Sequence, residues 1–243
     1  DMGSLSEIGI FSTIETGSIV KNLIVNYTSA NDGSDENTDP NDSVYGLFGL
    51  KTVKFVTTSE SFMFGTIAAQ NAGIISNCQV ISNTVAGNKY YLTIKADNAL
   101  TGSSYAGGLV GGNSGYITNC GVSLNAKMPY NLAGVVAQNN RKVAGCYFKE
   151  GNLINNSQYD QHIAGFAISN SNDAQIMTSF VSGGQSSASL YSKDNNSSIV
   201  STLAGGGFIY SNEGTIKDCY TDIDLSKTLS EMAGFAYRNS GKI

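Results

Sequence analysis

Four cysteines, a single histidine and one acidic run are the residues here whose types and spacing could do chemistry. Cys78, Cys120, Cys146 and Cys219 form no CxxC pair, and His162 is the only histidine, so a zinc site of ordinary ligand spacing is not supported. His162 follows Asp160, with Ser157 nearby. Adjacency in sequence is not triad geometry, and no Gly-x-Ser-x-Gly elbow accompanies these residues. His162 reads as a surface-loop residue. Between Asn31 and Asp42, Asp35, Asn37 and Asp39 have the alternate spacing of a calcium loop. Pro40 stands where that loop needs glycine, and Gly46 where it needs a bidentate glutamate. A solvated insertion is expected there, with calcium as the alternative. Asp222 and Asp224 make the best local carboxylate pair. Glycan-cleaving sites need clustered carboxylates with Arg or Lys on one face, and the acids here are scattered. No catalytic residue is assigned and no cofactor is expected.

The composition narrows the setting. Hydrophobic residues make up 41% of the 243 residues and charged residues only 14%, against roughly 25% charged in ordinary soluble domains. Solubility must come from Ser, Thr, Asn and Gly, which are poor helix-interior residues and good turn residues. The net charge is −5 and the only arginines are Arg141 and Arg238. Neutralising phosphates takes clustered cations, so nucleic acid is not an expected partner. No apolar run is long enough for a membrane helix, and no signal-peptide core opens the chain.

A repeated phrase organises the rest. Phe64-Gly65-Thr66-Ile67 leads to Gly73 through Val80, and Gly107-Gly108-Leu109-Val110 leads to Gly115 through Val122. Ala133-Gly134-Val135-Val136 leads to Cys146-Tyr147-Phe148, and Gly206-Gly207-Phe208-Ile209 leads to Cys219-Tyr220. Weaker copies start at Ile8, Ala164 and Ala233. The lead glycines at 9, 65, 108, 134, 165, 207 and 234 are spaced by 56, 43, 26, 31, 42 and 27 residues. The shortest spacing reads as one coil, and the longer ones as coils carrying insertions over 29–46, 83–105, 149–162 and 182–202. The last copy breaks off at Ile243, so the chain reads as a single solenoid domain cut from something longer.

Short segments such as Thr215 to Tyr220, bounded by turn residues, read as strands of about five residues. Two strands per phrase and a third in the spacer, such as Tyr91 to Ile94, would complete a coil. The expected fold is all-β, a right-handed parallel β-helix of about six to seven coils, with handedness taken from the preference of parallel crossovers. Asn113-Ser114-Gly115, Asn212-Glu213-Gly214 and Asn239-Ser240-Gly241 are its expected corners, where positive φ is often needed. A β-propeller or sandwich is the alternative, but a blade needs about 40 residues. Leu23, Cys78, Cys120, Cys146, Ser179 and Cys219 fall at equivalent positions, which predicts one inward column in which Cys acts as a small hydrophobe. Disulfides between stacked neighbours remain open.

Residues 107–120, Gly-Gly-Leu-Val-Gly-Gly-Asn-Ser-Gly-Tyr-Ile-Thr-Asn-Cys, resemble the GLUG motif. That repeat occurs in large bacterial surface proteins, including immunoglobulin A1 peptidases and adhesin-like proteins. The copies at Ala133 and Gly206 match it less well: Arg141-Lys142 replaces the small residue and glycine of the turn, and Ala174-Gln175 does the same in the copy at Ala164. The resemblance implies export, an extracellular or cell-surface location, and neighbouring domains in the same longer chain. It brings no catalytic residue.

Function is expected in the insertions. Tyr90, Tyr91, Tyr105, Tyr159 and Tyr191 lie in or beside them, and Tyr with Ser, Gly and Asn makes an adaptable recognition surface. The expectation is an adhesin-type module binding a host or cell-surface protein or glycan. The alternatives are a passive stalk and a polysaccharide-active enzyme.

Overall fold

A computed structural model describes residues 6–27, 52–57, 61–82, 84–85, 88–89, 91–96, 104–128, 130–155, 161–183, 189–192, 204–223, 225 and 231–243. Within them the chain is all-β, and every strand pairing is parallel except one two-residue hairpin, Thr84–Val85 with Asn88–Lys89. Among the described residues no helix is long and apolar enough to cross a membrane.

The third coil shows the unit: Tyr105–Gly107, Val110–Asn113, Tyr116–Thr118, Gly121–Ser123 and Ala126–Met128. Each strand pairs with its counterparts one coil before and one coil after. The result is five stacked sheets, first to fifth in chain order, of seven, seven, six, six and five strands. This is a parallel β-helix of seven coils, the seventh represented by Met232–Ala233 and Ala236–Asn239. Successive strands in such a stack lie about 4.8 Å apart.

A coil therefore contains five short strands, not three. Thr215 to Tyr220, expected as one strand, is broken at Asp218, whose φ is 55°. The same corner recurs in every coil that has it: Asn22, Asn77, Asn119, Gly145, Thr178 and Asp218 all have φ between 48° and 63°. Asn, Asp and Gly tolerate this left-handed conformation, because a short polar side chain or none relieves the clash with the next carbonyl. The expected Asn-x-Gly corners work differently. Gly115 and Gly241 do not have positive φ; among the described glycines only Gly17 and Gly145 do. They are small because the coils approach closely there. A Cβ on Gly115 would lie 2.1 Å from the Gly73 carbonyl oxygen, and one on Gly241 2.1 Å from that of Gly214.

The lead glycines need a one-residue correction. Gly65 pairs with Gly107, not Gly108, so Gly9 and Gly65 belong to the neighbouring column. Gly108, Gly134, Gly165, Gly207 and Gly234 do stack: a Cβ on each of the first four would fall 2.0–2.1 Å from the carbonyl oxygen of the next. This tight seam bends the chain between the first and second sheets.

Inside, like residues stack on like. Ile75, Ile117, Val143, Ile176 and Ile216 line the third sheet, and Val80, Val122, Phe148 and Val181 the fourth, all at 2% exposure or less. Each such burial stabilises by roughly 1.5–3 kcal/mol before entropy is charged against it. The cysteine column is present and points inward. The Cys78 amide donates to the Cys120 sulfur and the Cys120 amide to the Cys146 sulfur, each at 3.4 Å, and the Cys146 amide donates to Ser179 Oγ at 3.2 Å. All four cysteines are free thiols. A second, polar column fills the turn between the second and third sheets. Asn71, Asn113, Asn139, Asn170, Asn212 and Asn239 form a ladder in which each Nδ2 donates to the next Oδ1 at 2.8 Å.

Candidate functional site

The expected insertions are partly scaffold. Tyr91–Ala96, Asn152–Asn155 and Ser189–Ser192, all within them, are strands of the fifth sheet. Length variation instead concentrates on either side of that sheet. In the third coil Ser123 is followed three residues later by Ala126, and Met128 by Asn131. Elsewhere the same two steps run from Tyr27 to Thr52, Ser82 to Tyr91, Ala96 to Tyr105, Asn155 to His162 and Ser192 to Ala204. The step from the third to the fourth sheet keeps one length throughout, because its single left-handed residue fixes the turn.

The expected ligand-binding tyrosines are not brought together as one cluster. Tyr90 and Tyr159 lie outside the described residues. Tyr91 begins a fifth-sheet strand in the second coil, and Tyr191 lies in the fifth-sheet strand of the fifth coil. Tyr105 is a first-sheet residue, half-buried against an apolar cluster of Ala133, Ala164, Ile168, Ala204 and Tyr210. It is a wall residue rather than a loop residue. Asp35, Asn37 and Asp39 fall outside the described residues, and so does Asp224. Among the described residues no three His, Cys, Asp or Glu side chains converge as metal ligands would.

His162 is not on a loop. It opens a first-sheet strand, and its imidazole stacks on the Tyr210 ring with centroids 3.7 Å apart. Tyr210 stacks on Tyr237 at 5.4 Å, and the Arg238 guanidinium carbon stands 5.6 Å and 5.9 Å from the two ring centroids. The Tyr237 hydroxyl donates to Glu231, and that bond holds its pKa above the ordinary phenol value. This stack lies on the outside of the coil. Ala133, Ala164 and Ile168 are nevertheless 0–3% exposed, because they pack in one outer cluster with Ala204 and Tyr210, against which Tyr105 and Tyr237 also lie. Tyr210 is 7% exposed, so little aromatic face remains for a ligand there. Asp160 and Ser157 lie outside the described residues.

A different aromatic row faces solvent. Tyr147, Phe180 and Tyr220 occupy one outward column of the fourth sheet in successive coils. Their rings stack at 5.3 Å and 5.1 Å between centroids, with planes 12° and 3° apart. Tyr220 is 53% exposed. Gly121 holds the same column in the third coil, and a Cβ there would lie 2.3 Å from Tyr147 Cζ. The glycine therefore leaves room for the Tyr147 ring to lean onto the sheet. The next outward column holds Lys149, Ser182 and, beyond the strand, Asp222. Lys149 pairs with Glu150 at 3.0 Å. The Asp222 carboxylate accepts from Ser182 Oγ at 3.2 Å and from the Gly183 amide at 2.7 Å. Asp222 thus fastens the chain where it leaves the fourth sheet of the fifth coil.

This row was readable from the repeated phrase, since each ring directly follows a member of the inward column: Cys146-Tyr147, Ser179-Phe180, Cys219-Tyr220. Alternation along a strand turns the neighbour of an inward residue outward. The tyrosines expected to bind lie in or beside the insertions and do not include it. No family model, no curated protein and no solved structure matches the chain.

Proposed function

We propose that this chain is a non-catalytic, adhesin-type module of a bacterial surface or secreted protein, binding a host or cell-surface protein or glycan. One observation carries the reading. A rigid stack of coils keeps its first four sheets nearly constant in length and lets the chain lengthen on either side of the fifth. Variable segments tethered along one edge of a fixed scaffold are the usual arrangement of recognition loops. The likeness of residues 107–120 to the GLUG repeat of exported bacterial proteins supports the location.

The test is binding of the chain to intact cells, matrix proteins and glycans, repeated with residues 28–50 replaced by a short link. Loss of binding to cells or matrix proteins at an unchanged melting temperature is expected. A chain that binds nothing would be a stalk, and turnover of a polysaccharide would make it an enzyme. Either result would refute the proposal.

A further inference from the structure

We propose that the outer face of the fourth sheet is a stacking platform for the sugar rings of an extended, uncharged glycan, with Tyr147, Phe180 and Tyr220 as its contact residues. This rests on the surface-binding role proposed above and adds to the variable segments a second surface with its own ligand class.

The geometry is that of overlapping tiles. Carbon atoms of stacked rings touch at about 3.5–4.0 Å, yet these centroids are 5.1–5.3 Å apart while the planes stay within 12° of parallel. Parallel rings in contact at such separations must be offset, the arrangement aromatic pairs favour. Each ring then leaves part of a face uncovered. Tyr147 leans over Gly121 at one end of the row, and Tyr220 is the most exposed ring at the other.

The borders of the row select the ligand. On one side runs the left-handed corner, with Gly145 beside Tyr147, Thr178 beside Phe180 and Asp218 beside Tyr220, and Asn119 one coil further on. On the other stand Lys149, Ser182 and Asp222. The apolar strip is therefore one residue wide between two polar margins. An apolar protein segment would want a broader patch. A pyranose ring presents a C–H face to lie on an aromatic ring and hydroxyls around its rim to meet polar margins. Lys149 is engaged by Glu150 and Asp222 by Ser182 and Gly183, and the Asp218 carboxylate on the corner would repel an acidic chain, which favours an uncharged one. Rings that repeat with every coil suit a polymer better than a single sugar.

The test is native gel electrophoresis of the chain through hydroxyethylcellulose, laminarin or glucomannan. Retarded migration in at least one polysaccharide is expected, insensitive to molar salt. Tyr220→Ala should weaken it roughly tenfold, a variant at an exposed site that leaves the core intact. The triple change Tyr147→Ala, Phe180→Ala and Tyr220→Ala should abolish it, and Tyr220→Phe should preserve it. No retardation in any of the three polymers, or retardation that survives the alanine variants, overturns the platform. If cells or matrix proteins still bind in that case, the surface-binding role stands without it; if they do not, both fall.

Discussion

The side-chain amide of Asn113 donates to that of Asn139 across 2.8 Å of solvent-free interior, one rung of a ladder that joins six coils. Asn139 also accepts from the Arg141 amide and donates to Asn170 and to the Gln175 carbonyl. Asn139→Leu, similar in volume, should orphan the Asn170 acceptor and leave the Asn113 amide only its longer bonds to the Gly115 and Lys142 carbonyls. An orphan costs about 1–3 kcal/mol, and with the lost Asn113 bond a fall of about 3 kcal/mol in urea denaturation is expected. An unchanged midpoint would mean that the ladder is ornamental.

The glycine seam gives a matched pair of variants. A Cβ on Gly134 would sit 2.0 Å from the Gly165 carbonyl oxygen and 2.7 Å from Phe148, whereas one on Gly234 meets nothing within 4 Å. Gly134→Ala should force the coils apart and cost roughly 3 kcal/mol or more, or prevent folding. Gly234→Ala should fold, with a melting temperature close to that of the parent.

At the corner between the third and fourth sheets, Thr178 is a β-branched residue at φ 48°, where its counterparts include Asn77 and Asn119 at 54°. A β-branched side chain is poorly suited to that region. Thr178→Asn should therefore stabilise the chain by about 1 kcal/mol, seen as a raised melting temperature. A fall would show that the Thr178 side chain is needed for something else.

The buried thiols and one phenol set the response to alkali. Burial pushes Cys78 and Cys219 above the ordinary thiol pKa, and the hydrogen bond with Cys146, then burial, do so for Cys120. Burial raises Tyr27 to about 12, against the opposing effect of its hydrogen bond to Thr66. These groups keep their protons in the folded state while the unfolded chain releases them. Their stabilisation is complete below the unfolded values, about 8.5 for Cys and 10 for Tyr, and is lost as pH rises through the folded ones. Urea midpoints should fall from about pH 9 upward, and Tyr27→Phe should soften the fall above about pH 10. A midpoint that holds steady to about pH 11 would contradict this. In the folded chain Cys78, Cys120 and Cys146 should resist iodoacetamide, with Cys219, only half-buried, reacting first.

Repetition made the architecture legible. The recurrence of Gly108, Gly134, Gly165 and Gly207, and of the Cys78–Cys120–Cys146 column, specified parallel coils stacked in register. The number of strands per coil was harder to read. The break at Asn119 or Asp218 is one residue of left-handed backbone inside an apolar run, and periodicity does not register it. The asparagine ladder was visible only as corner residues, since nothing in Asn113-Ser114-Gly115 says that the side chain turns inward to bond its counterpart. The place of His162 was hidden for a related reason: a polar ring on the outer wall becomes a packing residue only where a neighbouring coil offers it a partner, as Tyr210 does. Tyr147, Phe180 and Tyr220 were legible in principle, through their fixed place after the inward column.

Because the strands of the five stacked sheets run crosswise to the long axis and pair only with the coils on either side, tension applied along that axis falls on the inter-coil hydrogen bonds a few at a time. Such a rod yields by peeling one rung after another, each releasing a length of slack, and does not snap as a unit. A tether built this way dissipates a tug in instalments and can rewind when the load drops.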